Sequence, residues 1–232
     1  MTGVQTCALP ILFFDLDGTL SDPFEGITRS VARSLLHFGI EVSDRRELGR
    51  FIGPPLRDSF PRYYGIPEDR VEEAIAVYRE YFSVKGLFEN ELYDGIEELL
   101  CALYESGIRI VLATAKPEVY ARRITEHFGI DKYFYRQCGA SLDGSRDTKS
   151  EVIAYALREC DADPSDVLMV GDCSHDIIGA RECGVSAIGV LWGYGDREEL
   201  EQAGAVGIFS SVSELFAWAR ENIIDQMSKY SL

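Results

Sequence analysis

Apolar residues along the chain follow two alternating rhythms. Short, nearly unbroken apolar runs rich in Val, Ile, Leu and Phe recur at 12–15, 108–113, 133–138, 167–170, 186–190 and 206–209. Runs of this length and make-up predict strands buried on both faces, as in a parallel sheet. Between them, apolar positions three and four apart predict amphipathic helices over 96–105 ("IEELLCALYE"), 119–128 and 151–159. Strands alternating with helices form βαβ units, and right-handed crossovers put helices on both sides of one sheet. The predicted fold class is therefore α/β, a Rossmann-like parallel sheet core with helices on both faces.

One region breaks the rhythm. No strand pattern occurs over 23–92. Helical patterns fill 24–38, 44–51, 56–64 and 67–81, punctuated by Gly39, the "GPP" at 53–55, Gly65 and Gly86. This predicts an inserted all-α cap domain. The expected division is a core made of 12–22 and 93–232 around a helical cap at 23–92. The opening "MTGVQTCALPI" resembles the translation of a sequencing-library adapter begun at a GTG start. On that reading residues 1–11 stand outside the fold and Cys7 carries no meaning.

Composition narrows the function classes. With 232 residues and 46% hydrophobic content the chain is globular. A net charge of −16, with no cluster of Lys and Arg, excludes a nucleic-acid partner. No apolar run reaches the roughly 18 residues of a membrane span. The six cysteines form no CxxC pair and no zinc spacing. They read as free thiols of a reducing compartment, and a cytoplasmic monomer or weak homodimer is expected.

Candidate chemistry gathers where the predicted strands end. Asp15 and Asp17 follow the first strand, and Thr114 with "AKP" follows the second. Lys149 precedes a helix in "DGSRDTKSEVI", and Asp172 and Asp176 follow the fourth strand in "GDCSHD". In open α/β sheets ligands bind outside these carboxyl ends. Converging carboxylates repel unless a cation joins them, and hard oxygen donors without His or Cys select Mg²⁺. A lysine and a hydroxyl then suit the remaining oxygens of a phosphate, with loop N–H groups, Gly18 and Ala115 among them, adding to the cradle. One carboxylate can attack phosphorus. A second, two residues on, reaches the same space if the chain turns at Gly18, and can protonate the leaving group and then activate water. In the cap, Gly53 sits in a stiff Gly-Pro loop able to approach a ligand. Arg57 is a candidate substrate contact, as are Arg50 and Arg62, and a solvated helix face fits each of the three at least as well. Asp22 opens the linker to the cap. Cys173 is either a passive small side chain or an oxidation-sensing thiol.

"DLDGTL" at 15–20, "LATAKP" at 112–117, Lys149 and "GDCSHD" at 171–176 resemble, in order, the four motifs of the haloacid-dehalogenase-like hydrolase superfamily. The helical insertion is similar to the cap of its phosphoglycolate-phosphatase-like branch. "FIGPPLRDSF" at 51–60 and "LYDGIEELL" at 92–100 resemble bacterial 5′-nucleotidase-like or phosphoglycolate-phosphatase-like members. The resemblance implies that Asp15 is the nucleophile and a metal ligand. It implies that Asp17 is the general acid/base, with its backbone carbonyl on the metal. Thr114 would bind the phosphoryl group, and Lys149 would neutralise nucleophile and phosphate, a role for which Arg146 is the rival. Asp172 would ligate Mg²⁺ and Asp176 would support it. The implied activity is Mg²⁺-dependent hydrolysis of a small phosphorylated metabolite through an aspartyl phosphate. Sugar phosphomutases with this kind of cap carry a His twelve residues after the nucleophile; here that position is Ile27. The other alternative is a non-catalytic binding protein on the same fold.

Overall fold

The structure, a computed structural model, describes residues 11–225. Ten of the eleven adapter-like residues lie outside that range; Ile11 lies inside it and opens strand β1 (Ile11–Phe14), buried along its whole length. The chain continues through β2 (Ser21–Asp22) into the cap helices α1 (Phe24–His37), α2 (Leu56–Tyr64) and α3 (Val71–Phe82), and leaves the cap by β3 (Glu91–Leu92). The core resumes with α4 (Ile96–Glu105), β4 (Arg109–Pro117), α5 (Glu118–Phe128), β5 (Phe134–Ala140), α6 (Lys149–Cys160), β6 (Val167–Gly171), α7 (Ser174–Glu182), β7 (Ser186–Val190), α8 (Arg197–Ala203), β8 (Gly207–Phe209) and α9 (Val212–Ala219).

Among the described residues, six strands form one parallel sheet in the order β5-β4-β1-β6-β7-β8. The apolar run of β1 divides by pleat. Leu12 and Phe14 join the core on the cap side, while Ile11 and Phe13 join the opposite core with Val152, Ile153 and Ile177. β4 divides in the same way, Ile110 and Leu112 against Val111 and Ala113. Both faces are therefore filled, as the unbroken apolar runs require. Because β4 and β6 flank β1 on opposite sides, the topological switch lies at the carboxyl end of β1.

The structure corrects several predicted bounds. β4 runs on through Thr114–Pro117, because the residue before a proline is held extended. Its register against β5 shifts between Thr114 and Pro117, which places Ala115 and Lys116 in a bulge at the strand's carboxyl end. The helix predicted over 44–51 is a 3₁₀ turn, Arg45–Phe51, with Asp44 accepting from the Arg46 N–H at 3.0 Å. The region 23–92 is not free of strand: β3 pairs antiparallel with β2, so the two passages between core and cap lie side by side. Two-residue strands carry too little periodicity to be read from sequence.

Candidate active site

Asp15 is the first residue beyond β1. Its N–H donates to Val170 O at 3.0 Å, which extends the β1–β6 ladder and delivers the carboxylate to the carboxyl edge. The chain turns at Gly18, whose φ of +84° is left-handed. A Cβ there would stand 2.2 Å from Asp172 Oδ2, so both the turn and the contact require glycine.

Lys149 reaches the same point from another element. Thr148 and Glu151 form a capping box, with Thr148 Oγ1 accepting from the Glu151 N–H at 3.3 Å and Glu151 Oε2 from the Thr148 N–H at 3.0 Å. Helix α6 therefore begins at Lys149, two residues ahead of its predicted start. The Lys149 Nζ lies 2.7 Å from Asp15 Oδ1 and 2.7 Å from Asp176 Oδ1, and donates to Ala113 O at 3.2 Å. Burial works against its charge, but Asp15 and Asp176 outweigh that cost and hold the ammonium above its ordinary range. Arg146 lies elsewhere, donating to Gly139 O at 2.7 Å and lying over the Tyr155 ring.

The remaining acids are buried and held. Asp172 accepts from the Thr19 hydroxyl at 3.2 Å and from the Tyr194 N–H at 2.8 Å. Asp176 Oδ2 accepts from both the N–H and the thiol of Cys173 at 3.2 Å. Burial pushes Asp17, Asp172 and Asp176 above the usual carboxylate range; the charges of Asp176 and Asp15 add to the effect at Asp172. Burial also pushes the Cys173 thiol up, which opposes the thiolate character an oxidation sensor needs.

Sequence reasoning missed Lys116. Its Nζ lies 2.6 Å from Asp17 Oδ2 and 4.6 Å from the centre of the Phe82 ring. The signal was present as a lysine in "TAKP" at a strand's carboxyl end, and the bulge is what makes it useful. Thr114 is buried in β4 and accepts from the Lys116 N–H at 3.2 Å. It does not cap α5, which starts after Pro117. Asp22 does more than open a linker: its Oδ1 accepts from the Phe24 N–H at 2.9 Å and from the Tyr194 hydroxyl, tying the cap's first helix to the core loop that holds Asp172.

A cleft open to solvent separates cap from core. Asp17, Ala115 and Lys116 line its core side; Ile27, Gly53, Arg57, Tyr78 and Arg79 line its cap side. A Cβ on Gly53 would lie 3.8 Å from Cys173 Sγ, so the Gly-Pro loop reaches the core loop beyond β6. Arg57 pairs with Glu72 at 2.6 Å and stands 3.9 Å from Asp147. Arg50 and Arg62 lie over cap tyrosines and border a separate cavity.

The donor set suits a hard divalent cation. Four buried carboxyl groups face two buried ammonium groups, so full ionisation would leave two negative charges uncompensated, where each such ion costs several kcal/mol. Asp17 Oδ1 has no hydrogen-bond partner among the described residues. Asp172 and Asp176 offer oxygens within 4.8 Å of one another, together with the Cys173 sulfur. With that thiol held protonated, the ligands are oxygens, the set Mg²⁺ prefers.

A family model described as haloacid dehalogenase-like hydrolase matches residues 12–190. The chain is 48% identical over 191 residues to a 5′-nucleotidase of Pseudomonas aeruginosa, covering 82% of this chain and 86% of that one. It is 42% identical over 192 residues to the tyrosine-protein kinase PtkA of Mycobacterium tuberculosis, covering 83% of this chain and 65% of the kinase. A solved structure described as a predicted phosphatase from Clostridium acetobutylicum superposes with a TM-score of 0.89 at 46% identity, covering 92% of this chain and 100% of that one.

Proposed function

The chain belongs to the haloacid dehalogenase-like hydrolases and is a phosphatase of that family, and from that premise we propose that it hydrolyses a small phosphorylated metabolite, of the 5′-nucleotide or phosphoglycolate-like class, through a phosphoryl group carried on Asp15. The observation that carries the reading is the buried Asp15–Lys149–Asp176 bridge, 2.7 Å on each side, at the sheet's switch point. Asp15 attacks phosphorus in line: a bond forms from its carboxylate oxygen as the bond to the leaving oxygen breaks. Asp17, whose proton affinity burial raises, gives a proton to that oxygen. Asp17 then accepts a proton from the water that attacks phosphorus and frees Asp15, releasing inorganic phosphate. Lys116 fixes the Asp17 carboxyl by one oxygen, and Lys149 and the Thr114 hydroxyl hold oxygens of the transferring group. Asp15, the Asp17 backbone carbonyl and Asp172 would hold Mg²⁺, with Asp176 in support; when bound it supplies charge neutralisation for the phosphoryl group. The cap excludes water while the covalent form builds.

A mutase reading finds less support, because Ile27 brings no titratable group to the cleft wall. With p-nitrophenyl phosphate and Mg²⁺, the protein should turn over, and EDTA should stop it until Mg²⁺ is restored. Asp15→Asn should reduce turnover by roughly 10³-fold or more. Full activity in Asp15→Asn overturns the nucleophile assignment, and indifference to EDTA overturns the metal.

A further inference from the structure

Helix α3 carries the clearest local conflict in the cap. Val71, Ala74, Ile75, Tyr78 and Phe82 are buried along one stripe, at the spacing of an amphipathic helix. Arg79 falls in the same stripe, four residues after Ile75 and three before Phe82. Ile75, Tyr78, Arg79 and Phe82 together form the α3 part of the cap–core cleft wall. A charged residue in an otherwise apolar stripe costs desolvation and needs a partner. Arg57, the other cap arginine on the cleft, has one: Glu72 at 2.6 Å, with Asp147 at 3.9 Å. The half-buried Arg79 guanidinium has no ion-pair or hydrogen-bond partner among the described residues. Asp147 lines the same cleft and its carboxyl feels the Arg79 charge after that of Arg57, yet it comes within ion-pair reach of Arg57 alone.

Resting on the phosphatase reading above, we propose that Arg79 is a specificity-determining residue that binds a second anionic group, a carboxylate or a phosphate, on the leaving-group side of the substrate. The cleft supplies the geometry: Asp17 and Lys116 line it from the core, so a substrate whose phosphoryl group sits against Asp15 extends its leaving group towards α3. The guanidinium presents a planar fork of donors that matches either anion in two parallel hydrogen bonds, and a partly dry wall strengthens them. The apolar neighbours Ile75, Phe82 and Tyr78 offer no competing acceptor chain beyond one phenol, so discrimination falls on the arginine.

The test uses binding as well as turnover. Calorimetric titration with Mg²⁺ present compares 3-phosphonopropionate, ethylene-1,2-bisphosphonate and butylphosphonate, none of which can be hydrolysed. The wild-type protein should bind at least one of the two doubly anionic probes roughly tenfold or more tighter than butylphosphonate. Preference for the first marks a carboxylate as the recognised group, and for the second a phosphate. Arg79→Gln should erase that preference while leaving butylphosphonate binding within about threefold. Arg79→Lys should restore the preference in part, because a point charge replaces the fork. In turnover, Arg79→Gln should raise KM for a carboxylated phosphomonoester by a larger factor than KM for p-nitrophenyl phosphate. Equal binding of all three probes by the wild type, or an equal loss for all three in Arg79→Gln, overturns the inference. Failure of the wild type to hydrolyse any phosphomonoester counts against the phosphatase reading alone, since the binding comparison stands without turnover.

Discussion

Glu73 in the cap and Asp17 in the core are both carboxylates held by cations, and their proton affinities move in opposite directions. Glu73 accepts from Arg70 at 2.8 Å and 2.9 Å and pairs with His37 at 2.7 Å. Those partners hold it down to about 2, below its ordinary 4.5. Asp17 has a closer cation, Lys116 at 2.6 Å, yet its carboxyl is raised. Water decides the difference. Glu73 stays about 42% exposed and keeps most of its hydration, whereas the Asp17 side chain is 11% exposed. Losing hydration costs several kcal/mol per ion, more than one good partner returns. The cap therefore uses its acids as salt bridges on a wet surface. The core stores them in a state that can hold a proton or accept a metal.

The sharpest way to break this contrast is at Lys149. Lys149→Met leaves Asp15 and Asp176 without the cation they share, and removing one partner of a buried ion pair costs about 3–5 kcal/mol. Chemical denaturation of the metal-free protein should show a loss of that size, and kcat should fall by roughly 10³-fold. Lys116→Met should act more gently, lowering kcat by about tenfold. It removes the charge that opposes burial at Asp17, so the Asp17 carboxyl rises further and keeps its proton to higher pH. The alkaline limb of the pH–rate profile should move up; a limb that stays or moves down separates Lys116 from Asp17. Glu73→Gln should have the smallest effect, leaving kcat unchanged and shifting the melting temperature by less than about 2 °C. Because the folded Glu73 carboxyl is depressed, its contribution is complete above pH 4.5 and is lost as pH falls towards 2. Melting curves of wild type and variant should converge over that window.

The contrast also separates what sequence discloses from what it withholds. Asp15 and Lys149 are legible because each is tied to a local position: an acid ending a buried strand, and a lysine just ahead of a helix. Cap helix α2 is legible at both ends, since Pro55 opens it and Gly65 closes it with a φ of +63°. Lys116 is not, because its value depends on a bulge set by pairing with β5, a separate strand beyond helix α5. Tyr194 is hidden for the same reason: its N–H reaches Asp172 and its hydroxyl reaches Asp22 only once the loop after β7 folds over the switch point. The pairing of β2 with β3 escapes notice because two residues cannot show a period. Side chains placed by one element's own pattern are readable, and those placed by a meeting of distant elements are not.

On the proposed mechanism, Asp15 carries the phosphoryl group during turnover. Acid quench of the working protein with Mg²⁺ and p-nitrophenyl phosphate, followed by digestion and mass spectrometry, reads this directly. The expected result is one phosphoryl group on the peptide containing Asp15, accumulating further in Asp17→Asn, where water activation is lost. Turnover with no phosphoryl group on Asp15 in either protein, or with one on another residue, would contradict it.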